Sequence, residues 1–221
     1  MSPDVFPPLE AGILSACSPW GARVTVMKET TSSNDEMLQL GESGSPNGSL
    51  LFAERQTAGR GQFRRPWSTT PGVGLSFSLL LRLEINDATI PSLSTFAAVA
   101  IAETVRELAI TDCVIKAPND VLIRGKKVAG VLVETRCGKS PFAVVGIGLN
   151  VNHAVEDFPM ELRDRAGSLA MSSGDLLDRT HVASLLLKSL WYHEQLMRNN
   201  PELLIQKFQQ LMMTKPSHLV S

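Results

Sequence analysis

The chain has 221 residues, of which 43% are hydrophobic, and its formal net charge is −1. This length is enough for one large domain or two small ones with a substantial core. A near-neutral chain lacks the basic surface that is typical of nucleic-acid-binding proteins, so we expect no nucleic-acid partner. No apolar run approaches the roughly 20 residues that span a bilayer, so we also expect no membrane partner. The three cysteines are widely spaced and the four histidines add no ligand pair, which predicts no metal site in the protein and favours a reduced, cytoplasmic location.

The chain divides into a short arm, one domain and a tail. Residues 1–22 are rich in proline and weakly patterned, so we expect a loosely docked arm. The domain is expected at residues 23–213 and an unstructured tail at 214–221. Alternating apolar residues predict the first strand at residues 23–29, and a continuous apolar run predicts a buried strand at 49–54.

A helix is expected between these two strands. Ser32 and Ser33 precede an apolar pattern, and either one is a suitable N-cap, with Asp35 or Glu36 as its capping-box partner. The hydroxyl groups have two readings, which stay open at this point. They cap the helix, or the helix N-terminus also presents its free N–H groups to a ligand.

The loop at residues 56–67 is rich in glycine and arginine and lies between two apolar runs. Glycines let backbone N–H groups approach an anion closely, and arginines offer forked donors to phosphate or carboxylate. Trp67 can cover a flat ring. The loop has no Lys–Ser or Lys–Thr pair, Arg64 stands where a dinucleotide-binding fingerprint needs glycine, and a strand follows where both common phosphate motifs open a helix. The loop is therefore a different kind of nucleotide loop, which wraps an anionic, ring-bearing ligand, or it is no nucleotide loop and its arginines form a solvated surface.

The remaining pattern predicts a mixed α+β fold in which helices pack on a mixed β-sheet. The expected elements are a strand at residues 74–82 with one polar face, a helix at 91–108, strands around a tight turn at 124–126, a strand at 142–152, and two C-terminal helices capped by Thr180 and Asn200.

Two lysines are candidates for a binding cleft. Lys116 ends a predicted strand and is followed by Pro118 and Asp120, so it is either a surface lysine at a strand-end turn or an ammonium group aimed into a cleft beside a carboxylate. Lys127 lies near Gly130 in a predicted strand, and a solvated hairpin lysine is an equally simple reading. Glycines inside the strand at residues 142–152 predict the close approach of a ligand or of another backbone.

Together, these motifs resemble those of biotin–protein ligases, over roughly residues 23–210 and in the same order. The matching residues are Ser32, Ser33 and Asn34; Gln56, Ala58, Gly59, Arg60, Gly61 and Trp67; Lys116, Pro118, Asn119 and Asp120; residues 125–134; and residues 146–152.

The resemblance implies the mixed sheet that biotin and lipoyl ligases share and that is related to the cores of class II aminoacyl-tRNA synthetases. It implies that biotin and ATP form biotinyl-5′-AMP and pyrophosphate, with Mg²⁺ accompanying the leaving group. The biotinyl group then passes to a lysine of a biotin carboxyl carrier domain of a carboxylase. It further implies a monofunctional type without the DNA-binding domain, a C-terminal SH3-like domain that is absent or truncated, and homodimerisation as one expectation.

The resemblance also assigns residues to roles. Expected catalytic residues are Lys116, Arg60 and Asp120, with Asp120 assisting deprotonation of the carrier lysine. Expected biotin-binding residues are Ser32, Ser33, Asn34, Gln56, Gly59, Arg60, Lys116 and Gly130. Expected ATP-binding residues are Arg60, Gly61, Arg64, Arg65, Trp67, Lys127 and Asn150.

Two departures from the family pattern leave alternatives open. Ala117 stands where the family usually has tryptophan, and Thr31 where it usually has aspartate. With the short C-terminal tail, Ala117 motivates a second hypothesis, a catalytically impaired protein that binds biotin or biotinyl-AMP. A third hypothesis is a ligase for a related short acid such as lipoate or octanoate, although lipoyl ligases carry a different glycine-rich motif from residues 59–61.

Overall fold

The computed structural model describes residues 7–68, 70–86 and 88–212, without the side chain of Arg64. In these ranges seven strands form one sheet and six α-helices pack around it. The strands are β1 (Val24–Met27), β2 (Leu50–Ala53), β3 (Leu75–Arg82), β4 (Cys113–Lys116), β5 (Asp120–Ile123), β6 (Lys126–Arg136) and β7 (Phe142–Leu149). The helices are α1 (Ala11–Cys17), α2 (Ser33–Glu42), α3 (Thr89–Glu107), α4 (Leu169–Ser173), α5 (Arg179–Asn199) and α6 (Pro201–Leu211).

The sheet is mixed, which confirms the predicted α+β class. The strand order is β1-β2-β3-β7-β6-β5-β4. β1 and β2 are parallel, and every other neighbouring pair is antiparallel. The predicted tight turn between β5 and β6 is also confirmed, because Arg124 and Gly125 both have positive φ, at 49° and 79°, as the favoured two-residue hairpin turns require.

One face of the sheet carries the main core. Helix α3 lies on this face and packs against α5 and α6. Its predicted apolar stripe is buried, apart from Leu108, which lies at the rim. Phe52 and Phe77 stack in the same core with ring centroids 4.6 Å apart. Helix α2 packs on the opposite face through Met37 and Leu38, and the candidate site lies on this second face.

The described part of the N-terminal arm is docked more firmly than the sequence predicts. Residues 7–22 include α1, whose Leu14 is fully buried in the main core. The backbone N–H of Leu9 donates to the Glu54 carboxylate, and the Trp20 indole N–H donates to Glu194, both at 2.7 Å. These contacts join the arm to residues far away in sequence, so local patterning could not reveal them. The predicted tail at 214–221 lies outside the described residues.

Two helix starts show how local capping chemistry decides the boundary. Asn200 caps α6 as predicted, because its side chain accepts the N–H of Leu203 at 3.2 Å. The predicted cap of α5 is wrong by two residues: the carboxylate of Asp178, and not Thr180, accepts the first free N–H groups. The short helix α4 lies in a stretch for which only loops were predicted. None of the helices in the described ranges is long and apolar enough to cross a membrane.

Candidate functional site

A cavity opens on the α2 side of the sheet, above a floor of small residues. The strand register sets Gly148 of β7 beside Gly130 of β6, and Gly130 beside Asp120 of β5. In the adjacent row Gly146 lies beside Ser78 of β3. Because the three glycines carry no side chain, wall residues rest directly on the sheet there: Asn34 lies over Gly146, Trp67 over Gly148 and Lys127 over Gly130. The loop at residues 59–67 and the first turn of α2 form the walls.

Most of the residues predicted from the sequence are brought together here. Those that line the cavity are Ser32, Ser33, Asn34, Gln56, Arg60, Gly61, Arg65, Trp67, Asp120, Lys127 and Gly130. Gly59 lies behind the wall, where a Cβ would come within 2.7 Å of the Trp67 carbonyl oxygen. The side chain of Arg64 is not described. Asn119, Leu132, Gly146 and Gly148 also line the cavity. The sequence predicts a close approach of a ligand or of another backbone at the two glycines, and it assigns no binding role to Asn119 or Leu132.

The first turn of α2 is capped from outside the helix. Ser32 occupies the N-cap position, but its side chain accepts no cap hydrogen bond. The amide oxygen of Gln56 instead accepts the backbone N–H of Ser33 at 2.8 Å. Glu36 accepts from the hydroxyl of Thr30 at 2.9 Å, so the predicted capping box is wrong. Gln56, which lies just before the loop at residues 59–67, therefore accepts one of the free N–H groups at the helix terminus, and Ser32 is left to line the cavity.

A buried polar chain continues from this helix across the sheet. The Ser78 hydroxyl lies 2.8 Å from the Ser33 hydroxyl oxygen and 2.6 Å from the Asn34 amide oxygen. The Asn34 amide nitrogen donates to Glu134 at 2.8 Å. A Cβ at residue 146 would lie 2.2 Å from the Asn34 amide oxygen, so Gly146 is the residue that lets Asn34 rest on the sheet.

Arg60 joins the loop to this polar chain. Its guanidinium group makes a two-pronged ion pair with Asp35 and contacts the Glu134 carboxylate at 3.1 and 3.2 Å. The hydrogen bond and charge of Arg60 lower the pKa of Asp35. The two carboxylates raise the pKa of Arg60 further above its ordinary value, so it stays charged. No binding role was assigned to Asp35 or Glu134, although alternation along β6 from Gly130 would have placed Glu134 on the cavity face.

Lys127 is held inside the cavity by a carboxylate and a ring. Its ammonium nitrogen lies 2.6 Å from a carboxylate oxygen of Asp120 and 5.7 Å from the centroid of the Trp67 ring. It also lies close to the floor, since a Cβ at residue 130 would be 3.0 Å from it. A lysine in this position carries a positive charge to the wall of the cavity.

Besides Gly59, the predicted residues Lys116 and Asn150 do not line the cavity. Lys116 is exposed at the end of β4; it is the register partner of Asp120 and lies one strand farther from the glycine floor, so it stands outside the lining. Asn150 is buried and points away from the site, because its amide nitrogen donates to the Gly167 carbonyl at 2.9 Å. Its position secures the chain after β7, and the contact with a nucleotide stays a prediction.

Replacing Gly148 with alanine is expected to displace Trp67. A Cβ at this residue would lie 2.2 Å from Cε2 of the indole, and overpacking of this kind costs about 1–3 kcal/mol. The free energy of unfolding, measured by urea denaturation, checks the effect. The same change in a Trp67→Ala background is the control, where the loss should nearly vanish because the clashing ring is gone. An equal loss in both backgrounds would contradict this packing.

Comparison with known proteins agrees with this arrangement. Residues 24–152 match the model of the biotin/lipoate A/B protein ligase family. The bifunctional ligase/repressor BirA of Bacillus subtilis is 40% identical over 151 residues, which cover 67% of this chain and 46% of that protein. The biotin–[acetyl-CoA-carboxylase] ligase of Mycobacterium tuberculosis is 36% identical over 199 residues, which cover 86% of this chain and 71% of that protein.

Solved structures show the same likeness. A biotin protein ligase from Aquifex aeolicus in complex with biotin and ATP superposes with a TM-score of 0.73 at 31% identity, covering 86% of this chain and 78% of that one. The chain spans less than half the length of the Bacillus BirA proteins that it matches. The family model covers more than half of the chain. All seven strands, the glycine floor and the loop at residues 59–67 lie in the matched region. This chain belongs to the biotin/lipoate A/B protein ligase family.

Proposed function

We propose that this protein is a biotin–protein ligase. A carboxylate oxygen of biotin attacks the α-phosphorus of ATP, the bond to the β-phosphate oxygen breaks, and biotinyl-5′-AMP and pyrophosphate form. The amine of a lysine on a biotin carboxyl carrier domain then attacks the activated carbonyl, loses a proton and displaces AMP. Relatives that are named biotin ligases, and a similar structure that holds biotin and ATP, support this proposal.

The observation that carries the proposal is the composition of the cavity. One end is lined by hydroxyl and amide groups of Ser32, Ser33, Asn34 and Gln56, which suits a small, uncharged polar ring. In the middle the Trp67 ring lies flat over Gly148, and its apolar face suits the chain of such a ligand. Lys127 lies beside the glycine floor, where the carboxylate at the far end of such a ligand would be placed.

The charge of Lys127 suits the first step. The nucleophile is already a carboxylate, so the site must hold two anions close together and has no need of a base. Lys127 offers one positive charge at the cavity wall, and Asp120 and Trp67 fix its position. We therefore assign the charge-stabilising role to Lys127 ahead of Lys116, which is exposed at the rim.

Mg²⁺ is expected to accompany ATP. In the described ranges no three His, Cys, Asp or Glu side chains are grouped so that they could hold a metal ion. Mg²⁺ is commonly bound by one or two carboxylates together with substrate phosphates and water, and Asp120 is a cavity carboxylate that fits this role. When bound, the ion would neutralise charge on the leaving pyrophosphate.

The second step needs a carrier lysine, whose pKa is about 10.4 in solution, to lose its proton. The assistance of Asp120 stays a prediction, and the ion pair of Asp120 with Lys127 at 2.6 Å means that a base role would require Lys127 to move to the ligand. The cytoplasmic location, the absence of a nucleic-acid partner and homodimerisation also stay predictions.

Mass spectrometry of a carrier domain tests the proposed function. After incubation with the full chain, biotin and Mg-ATP, the carrier is expected to gain one biotinyl group on its lysine, and biotin-dependent exchange of pyrophosphate into ATP is expected without the carrier. Tight biotin binding without either reaction would support the impaired binder instead. Transfer of lipoate or octanoate in preference to biotin would identify the ligase for another short acid.

A further inference from the structure

Arg60 lies where three separate parts of the chain meet. It belongs to the loop at residues 59–67, Asp35 belongs to the first turn of α2, and Glu134 belongs to β6. The guanidinium group contacts both carboxylates at once. A forked pairing of this kind fixes orientation as well as distance, so the loop is fastened to a helix and to a strand through one side chain.

The loop otherwise holds mainly to itself. The N–H of Gly61 donates to the Arg65 carbonyl at 2.7 Å, and the N–H of Trp67 donates to the Gly59 carbonyl at 2.8 Å. These bonds close the loop without attaching it to the sheet. Its attachments to the body of the protein include the ion pairs of Arg60 and the packing of Trp67 on Gly148. At the tip, Phe63 has a positive φ of 56° and is 87% exposed.

Glu134 connects this attachment to the cavity wall. One carboxylate accepts from Arg60 on the loop and from the Asn34 amide nitrogen at 2.8 Å. The Asn34 amide oxygen accepts a hydrogen bond from the Ser78 hydroxyl at 2.6 Å, so partners on both sides fix the orientation of the amide. If Arg60 moved away, Glu134 would lose its cation while still accepting from the Asn34 amide. The position of Asn34 would then no longer be tied to the loop.

We propose that Asp35 and Glu134 are positioning residues that latch the loop at residues 59–67 over the cavity through Arg60, and that Glu134 couples this latch to Asn34. Opening of the loop requires the guanidinium group to leave both carboxylates. The three side chains are between a quarter and two-fifths exposed, so water and salt weaken each pair and the latch can open. The latch rests on the proposed function only for the identity of the ligand that it encloses.

Limited proteolysis of the ligand-free full chain tests the latch. The Phe63 side chain is already exposed, but its positive φ and the bond between Gly61 and Arg65 hold the backbone in a tight turn, and a protease needs an extended segment. Chymotrypsin therefore cuts after Phe63 when the loop opens, and the fragment that ends at this residue identifies the cut by mass. Glu134→Gln keeps an acceptor for Asn34 and removes the charge, and Asp35→Asn does the same at the other carboxylate. Each is expected to raise the rate of this cut about fivefold, as the loss of one partly exposed ion pair would do when cleavage follows the open population.

The matched control is Glu42→Gln, which breaks the ion pair with Arg136 at 2.9 Å elsewhere on the same face and should leave the cut unchanged. Added salt should speed the cut in the wild type and less so in the double variant of Asp35 and Glu134, a response that a general loss of stability would not give. Equal cutting of the wild type and both latch variants would overturn the latch. If the latch variants are cut faster but the wild-type protein binds neither biotin nor ATP, the latch stands and the proposed function is rejected.

Discussion

Lys127→Ala is expected to slow the formation of biotinyl-AMP by about 10²–10³-fold, the usual loss when one charge-stabilising donor is removed. The ammonium group lies beside Gly130 on the cavity floor and is held by Asp120 and Trp67. Without it, Asp120 would lose the cation that is paired with it at 2.6 Å and would face the incoming carboxylate and phosphates as a further negative charge. Biotin-dependent exchange of pyrophosphate into ATP measures the rate, and the thermal midpoint shows whether the variant is folded.

The neighbouring residue supplies a matched control. Lys126 points away from the cavity and donates to the Arg163 carbonyl at 3.3 Å, so Lys126→Ala should leave the exchange rate nearly unchanged. Lys116→Ala forms the third arm, because the sequence predicts the central role for Lys116 and the structure places it at the rim. A larger loss in Lys116→Ala than in Lys127→Ala would overturn the assignment of the charge to Lys127.

The family resemblance assigned Lys127 to the site, whereas the residue pattern of β6 alone would have placed it on the wrong face, because β6 has a local irregularity. Strict alternation puts Lys127 on the same face as Ala129 and Val131, which lie in the main core. The pairing with β5 shifts register at this point: Val121 faces Ala129, and Leu122 faces Lys127. The extra residue, Val128, makes a β-bulge that turns Lys127 to the cavity face. A β-bulge depends on how two strands pair, so the residue pattern of one strand cannot predict it.

Several features that depend on local chemistry were predictable, although the cap of α5 and the capping box of α2 were not. The turn at Arg124 and Gly125, the cap at Asn200 and the stripe of α3 each depend on residues a few positions apart. The strand order and the contacts of Arg60 depend on partners far along the chain. Asp35 illustrates the limit: its place in the first turn of α2 suits a capping residue equally well, and only the folded loop supplies Arg60 as its partner.

Arg179→Met is expected to lower the free energy of unfolding by about 3–5 kcal/mol, because it removes one partner of a buried ion pair and leaves the other charge uncompensated. Arg179 is paired with Glu54 at 2.7 Å, and the two side chains are 3% and 11% exposed. Methionine keeps much of the volume of arginine, so a cavity accounts for little of the loss. Urea denaturation measures the change. Arg124→Ala breaks an ion pair with Asp112 in which both partners are more than half exposed, and it should cost less than about 1 kcal/mol.

A double variant separates charge from packing. Glu54→Gln removes the carboxylate charge and keeps an acceptor for the N–H of Leu9, so in the Arg179→Met background it should restore about 1–3 kcal/mol. If the double variant is no more stable than Arg179→Met alone, the uncompensated charge is not the cause.

The same pair also holds the arm, since Arg179 donates to the Pro7 carbonyl at 2.7 Å and Glu54 accepts from Leu9. Hydrogen exchange at Leu9 should therefore rise with the loss of stability in Arg179→Met and fall again in the double variant, because the arm and the core are held by the same two side chains.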